Sequence, residues 1–143
     1  MRNLFLGFSL SALAAAAVAA APTLPVHKAP ADARVYIISP VDGAKVGHDV
    51  TVRFGLAGMG IAPAGVEKEH TGHHHLLIDV ATLPPAGQPI ANDEHHKHFG
   101  GGQTETVLRL APGTHTLQLE LGDANHVPFD PPVVSKRITI HVK

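Results

Sequence analysis

The chain has 143 residues, 44% hydrophobic and only 16% charged, a composition that fits one packed domain and excludes a disordered tail. Eleven Lys and Arg against twelve Asp and Glu give a formal charge of −1, and five Phe, one Tyr and no Trp offer little for bases to stack on. Nucleic acid is therefore not an expected partner.

Residues 1–21 open on Met1-Arg2-Asn3, run apolar from Leu4 to Val18, and close on Ala19-Ala20-Ala21 before Pro22. A short basic start, an apolar stretch too short to span a bilayer and a small-residue cleavage site form the pattern of an export signal. The mature chain is expected in the periplasm or outside the cell, with no membrane span. Residues 22–33, punctuated by Pro22, Pro25 and Pro30, read as a flexible leader to a single domain at 34–143. From Arg34 onward, short alternating runs of β-branched and aliphatic residues separated by Pro/Gly/Asp clusters predict strands near 34–38, 49–56, 73–81, 104–110, 115–121 and 134–142. A further short strand is expected at 96–99. Turns fall at Pro40-Val41-Asp42-Gly43, Pro84-Pro85-Ala86-Gly87 and Pro112-Gly113. No window of the mature chain carries a 3.6-residue period. About seven strands in one small domain predict an all-β, immunoglobulin-like two-sheet sandwich. Alternation assigns faces: Leu117, Leu119 and Leu121 point one way, and Thr116, Gln118 and Glu120 the other.

Histidine is the abnormal residue. The chain has twelve, more than its Lys and Arg together, and no Cys. Without thiolates there are no disulfides, Cys-bound zinc, iron–sulfur clusters, thiol nucleophiles or blue-copper sites. Most histidines fall in two knots, His70 with His73-His74-His75, and His95-His96 with His98. A strand puts residues i and i+2 on one face, roughly 6.5–7 Å apart, so each His-x-His pair can lean two imidazoles onto one ion. If the strands carrying His73/His75 and His96/His98 start side by side at one end of the sandwich, four nitrogen donors converge. His126, in a loop after a strand, is the best fifth candidate. The expected metal ligands are thus His73, His75, His96, His98 and His126. Imidazole without thiolate suits copper, zinc or nickel, and the affinity order puts copper first. Because a ligating imidazole must be neutral, affinity is expected to collapse below about pH 6.

Asp79 and Asp123 are candidates to orient these imidazoles, and Met59 to lend a thioether. His74 falls in phase with Leu76 and Ile78, and His115 with Leu117 and Leu119, which suits positions at the core edge. The run Gly100-Gly101-Gly102 lacks the Lys-Ser/Thr of a phosphate loop and reads as a turn where backbone passes close to the site. Neither Gly-x-Ser-x-Gly nor His-Glu-x-x-His occurs.

From Gly72-His73-His74-His75-Leu76-Leu77-Ile78-Asp79, through His96-Lys97-His98-Phe99-Gly100-Gly101-Gly102-Gln103-Thr104-Glu105 and Pro112-Gly113-Thr114-His115, to Gly122-Asp123-Ala124-Asn125-His126, the chain resembles an uncharacterised family of short exported bacterial proteins, a domain of unknown function. His73, His74, His75, His96, His98, His115 and His126 match that family's motif. His70 and His95 are additions here, and Phe129 stands where relatives can carry another His. The resemblance implies no activity. The opening Pro40-Val41-Asp42-Gly43 with Val50-Thr51-Val52-Arg53-Phe54 resembles the first hairpin of bacterial immunoglobulin-like modules, including periplasmic copper-carrier domains, a likeness of fold only.

The function expected is binding of a transition ion, copper foremost, for sequestration or delivery. The alternative is a metal-independent immunoglobulin-like module that recognises an envelope protein and uses its histidines as a pH switch. A His-ligated metalloenzyme ranks last, because no spacing identifies a substrate.

Overall fold

Short β-branched runs cut by Pro and Gly favour strands over helices. The computed structural model describes residues 23–143, so the expected export signal lies outside the described residues. Among the described residues nine strands form: β1 (Arg34–Ser39), β2 (Ala44–Val46), β3 (Asp49–Ala57), β4 (Gly60–Ile61), β5 (Thr71–Ile78), β6 (His96–His98), β7 (Glu105–Arg109), β8 (Gly113–Gly122) and β9 (Ile138–Val142). They build the expected all-β two-sheet sandwich. One sheet has the order β1-β3-β7, the other β2-β9-β8-β5-β4, with β6 also paired to β5. Among the described residues no helix is long and apolar enough to cross a membrane.

Three details depart from the sequence reading. β2 and β4 are too short, at three and two residues, for alternation to reveal them. The strand expected from 73 to 81 stops at Ile78, because Asp79 turns to a φ of 57° and its carboxylate accepts the Thr116 amide at 2.8 Å. The strand expected from 134 starts at Ile138, since Ser135 Oγ takes the Leu119 amide at 2.8 Å and leaves only an isolated bridge between Val134 and Glu120.

Between the sheets, Val35, Val52 and Phe54 join Leu76, Leu117, Leu119 and Ile140 in one apolar cluster. Leu119 is fully buried there. Leu119→Ala is expected to cost about 2–5 kcal/mol, the usual result of leaving a cavity, read from a denaturant melt.

β5 is buried on both faces from Gly72 to Ile78. Leu76 and Ile78 enter the cluster between the sheets, whereas His73, His75 and Leu77 point to the opposite face. That outer face is roofed by the β5–β6 and β8–β9 connections, which are tied together where the Ile90 amide donates to the His126 carbonyl at 2.8 Å. The expected flexible leader is hydrogen-bonded to the domain. Leu24 N–H donates to Gly87 O at 2.8 Å, Asp130 N–H to His27 O at 2.9 Å, and Ala29 N–H to Asp130 O at 3.2 Å.

Candidate metal centre

β6 runs antiparallel to β5 with His98 opposite His75, and β8 flanks the other side of β5 with Gly122 opposite His73. His73, His75 and His98 therefore share the outer face near the start of β5. His126 reaches them from the β8–β9 loop at a φ of 66°, a conformation a non-glycine residue holds only where its surroundings impose it. Asp123 imposes it. Its Oδ1 accepts the amides of Asn125 at 2.8 Å and Val127 at 2.9 Å, its carbonyl accepts the His126 amide at 3.0 Å, and the His27 Nδ1–H donates to its Oδ2 at 2.8 Å.

One potential ligand atom from each of His73, His75, His98 and His126 lies within 4.8 Å of the other three. The six ring-centroid separations run only from 4.6 to 5.9 Å, and the two longest share His75. A planar square would instead lengthen two separations that share no ring, so the four ring centres are close to a tetrahedron. A tetrahedral ion with bonds of about 2.0–2.1 Å needs nitrogens about 3.3–3.4 Å apart. His73 Nε2 and His126 Nδ1, at 3.1 Å, lie slightly inside that spacing, and no pair of the potential ligand atoms is farther apart than 4.8 Å.

Burial, then repulsion from His126 and His98, lowers the His73 pKa from 6.5 to about 4. The same causes, burial followed by His73, His98 and His126, bring His75 to about 2. His98 is also lowered, by burial and then His126. These imidazoles are neutral at pH 7, the form that ligates. Four buried ring nitrogens of the group, His73 Nδ1, both nitrogens of His75 and His98 Nε2, have no hydrogen-bond partner. Each such orphan costs on the order of 1–3 kcal/mol, a cost that coordination to an ion would remove for one nitrogen of each ring.

A family model described as Domain of unknown function (DUF4399) matches residues 52–143. The chain belongs to the DUF4399 family. No curated protein and no solved structure matches it.

In this DUF4399 chain the fifth expected ligand, His96, stands apart. It lies opposite Leu77, two residues along β6 from His98 on the same face, which sets the two Cα atoms roughly 6.5–7 Å apart. Its Nδ1–H donates to Asp93 Oδ1 at 2.9 Å. Neither acid expected to orient ligands does so by a direct bond: Asp123 shapes the loop, and Asp79 pairs with His115. His115 Nδ1 lies 2.7 Å from Asp79 Oδ2 and its Nε2 2.9 Å from the Ala111 carbonyl, two acceptors that favour the protonated ring and raise its pKa. Met59 packs against the cluster between the sheets. His74, on the inner face, is fully buried against Phe54 at 5.2 Å between centroids, and burial lowers it to about 4 although the Gly55 and Gln103 backbone draws it upward.

Gly100 belongs to the glycine run expected beside the site, whereas Gly122 and one acid were not read from the sequence as part of it. A Cβ on Gly100 would lie 2.2 Å from His98 Cε1, and one on Gly122 would lie 2.7 Å from His75 Cε1. Both rings rest on bare backbone, which explains at atomic level why the glycine run after His98 sits beside the site. Gly100→Ala is expected to push the His98 ring aside and weaken metal binding about tenfold, measured by competitive titration. The acid is Glu120, opposite His75 on β8 and fully buried, with neither oxygen partnered; burial raises its pKa from 4.5 to about 7. Alternation places it on the polar face of β8, and only the roof over that face hides it from water.

Proposed function

We propose that this protein holds one first-row transition ion on His73, His75, His98 and His126, and serves in its sequestration or delivery in the periplasm or outside the cell. The supporting observation is the near-tetrahedral set of four imidazole rings, with His73, His75 and His98 held neutral by burial and buried nitrogens of these three left unpartnered. Four protein nitrogens fill a tetrahedral shell and leave no position for a reacting water, the pattern of a binding centre more than of a catalytic one. Delivery requires a receiving protein of the envelope, which is the partner this role calls for.

Copper is the first reading, on the affinity order of divalent ions for nitrogen donors. Zinc is the second, favoured by the shape of the group, because Zn(II) takes four tetrahedral ligands with no electronic penalty. Nickel comes third. A metal-independent pH switch draws less support, since His73 and His75 are held near 4 and 2, away from the window between pH 5 and 8 in which such a switch acts.

The test is elemental analysis of protein isolated without an affinity column, followed by competitive titration of the stripped chain with Cu(II), Zn(II) and Ni(II). One ion per chain is expected, with a Kd below about 1 μM. Binding no tighter than that of a peptide with scattered surface histidines would overturn the proposal.

A further inference from the structure

Glu120 is the buried ionisable group that the four-histidine reading leaves unused. It faces His75 directly across the β5–β8 ladder, on the same side of the sheet. Side chains so paired have Cβ atoms about 4.5–5.5 Å apart, so rotation about side-chain bonds alone brings a glutamate oxygen to an imidazole nitrogen. Both residues are fully buried, and all four of their polar side-chain atoms, Nδ1 and Nε2 of His75 and the two oxygens of Glu120, lack a hydrogen-bond partner. The diagonal neighbours of Glu120 on this face across the ladder are His73 and Leu77.

A neutral imidazole that gives one nitrogen to an ion carries its proton on the other, and that N–H needs an acceptor once no water reaches it. His75 sits in the middle of β5 between β6 and β8, and the side chain directly opposite it on β8 is that of Glu120. We infer that Glu120 is the positioning residue of the metal centre: its side-chain oxygen accepts the N–H of His75 when the ion is bound, and so fixes which nitrogen of His75 ligates. The inference rests on the four-histidine reading. A carboxyl oxygen accepts this bond whether or not the group is ionised, so the assignment needs no particular protonation state. It also accounts for a buried acid on a strand face that would otherwise tolerate an apolar residue of the same size.

The experiment compares wild type with Glu120→Leu and Glu120→Gln, full-length and stripped of metal, by competitive titration with Zn(II) and Cu(II) and by thermal melting of each metal-free form. Glu120→Leu removes the acceptor and is expected to weaken binding about 10–100-fold. Glu120→Gln keeps an amide oxygen in its place and is expected to recover most of that loss. The metal-free Leu variant should melt at or above the wild-type temperature, because it removes two unpartnered buried oxygens. A merely structural glutamate would give the reverse, a lower melting temperature with affinity intact. Equal affinity in wild type and Leu variant, or no recovery by Gln, overturns the role of Glu120 and leaves the four-histidine centre standing. A wild-type chain that binds neither ion overturns both.

Discussion

The His98→Ala variant is expected to bind Zn(II) or Cu(II) more than about 100-fold more weakly than the wild type, beyond what loss of an outer partner alone produces. His96→Ala, two residues away, is expected to stay within about threefold. The contrast follows from register. His98 stands opposite His75 and within 5.0 Å of the His73 ring and 4.6 Å of the His126 ring, whereas His96 stands opposite Leu77 with Nδ1 engaged by Asp93. Removing His98 leaves three donors and a hole in the tetrahedron, while removing His96 leaves the ion untouched. Melting gives an independent readout, because an ion that binds only the native state stabilises it by about 4 kcal/mol at a thousand times its Kd. For a domain of this size that is a rise on the order of 10–20 °C. The rise should persist in His96→Ala and largely vanish in His98→Ala. Equal loss in both variants would show that binding belongs to the loose histidine surface and not to the four-ring centre.

Acid is expected to destabilise the metal-free protein steeply between pH 6.5 and 4. His73 and His74 hold pKa values of about 4, and His75 about 2, against 6.5 for the model imidazole. In that window the unfolded chain takes up protons that the native state refuses, so stability falls as pH falls. Each such group contributes at most about 1.4 kcal/mol per pH unit. Glu120 works in the opposite sense. Its pKa rises from 4.5 to about 7, so the native state holds a proton there that the unfolded chain releases, and its contribution is present at low pH and lost as pH rises toward 7. Four histidines, His98 with its lowered pKa included, against one glutamate leave the net slope positive with pH in this window. Asp42, Asp79 and Asp93, whose pKa values are lowered, lose their contributions only below 3.8, outside this window. The summed loss is several kcal/mol, a large part of the roughly 5–15 kcal/mol typical of a domain. Urea melts at pH 7.5, 6.5, 5.5 and 4.5 measure it, and a flat profile would refute the buried neutral histidines. The same shifts carry metal release below the pH 6 expected of ordinary histidines, because protons compete weakly for rings that burial already keeps neutral.

The composition and pattern of the chain carried a great deal. Absence of Cys with an excess of His selected the donor chemistry, and the alternation of Leu117, Leu119 and Leu121 with Gln118 and Glu120 identified strands and their inner faces. The period of two also required His73 and His75 to share one face and His74 the other, as the fold bears out.

What a period cannot state is what lies across from a residue. His96 and His98 are equivalent in sequence, on one strand and one face; the antiparallel offset of β6 against β5 alone puts one in the group and the other beside Leu77. Glu120 reads as a solvated charge until the distant connections roof its face, and His126 joins only because Asp123 bends its loop. Local spacing follows from stereochemistry within a few bonds, so the sequence by itself determined the longer strands and the excess of imidazole donors. Register, burial and convergence depend on contacts between segments 20–50 residues apart, and those only the tertiary structure decided.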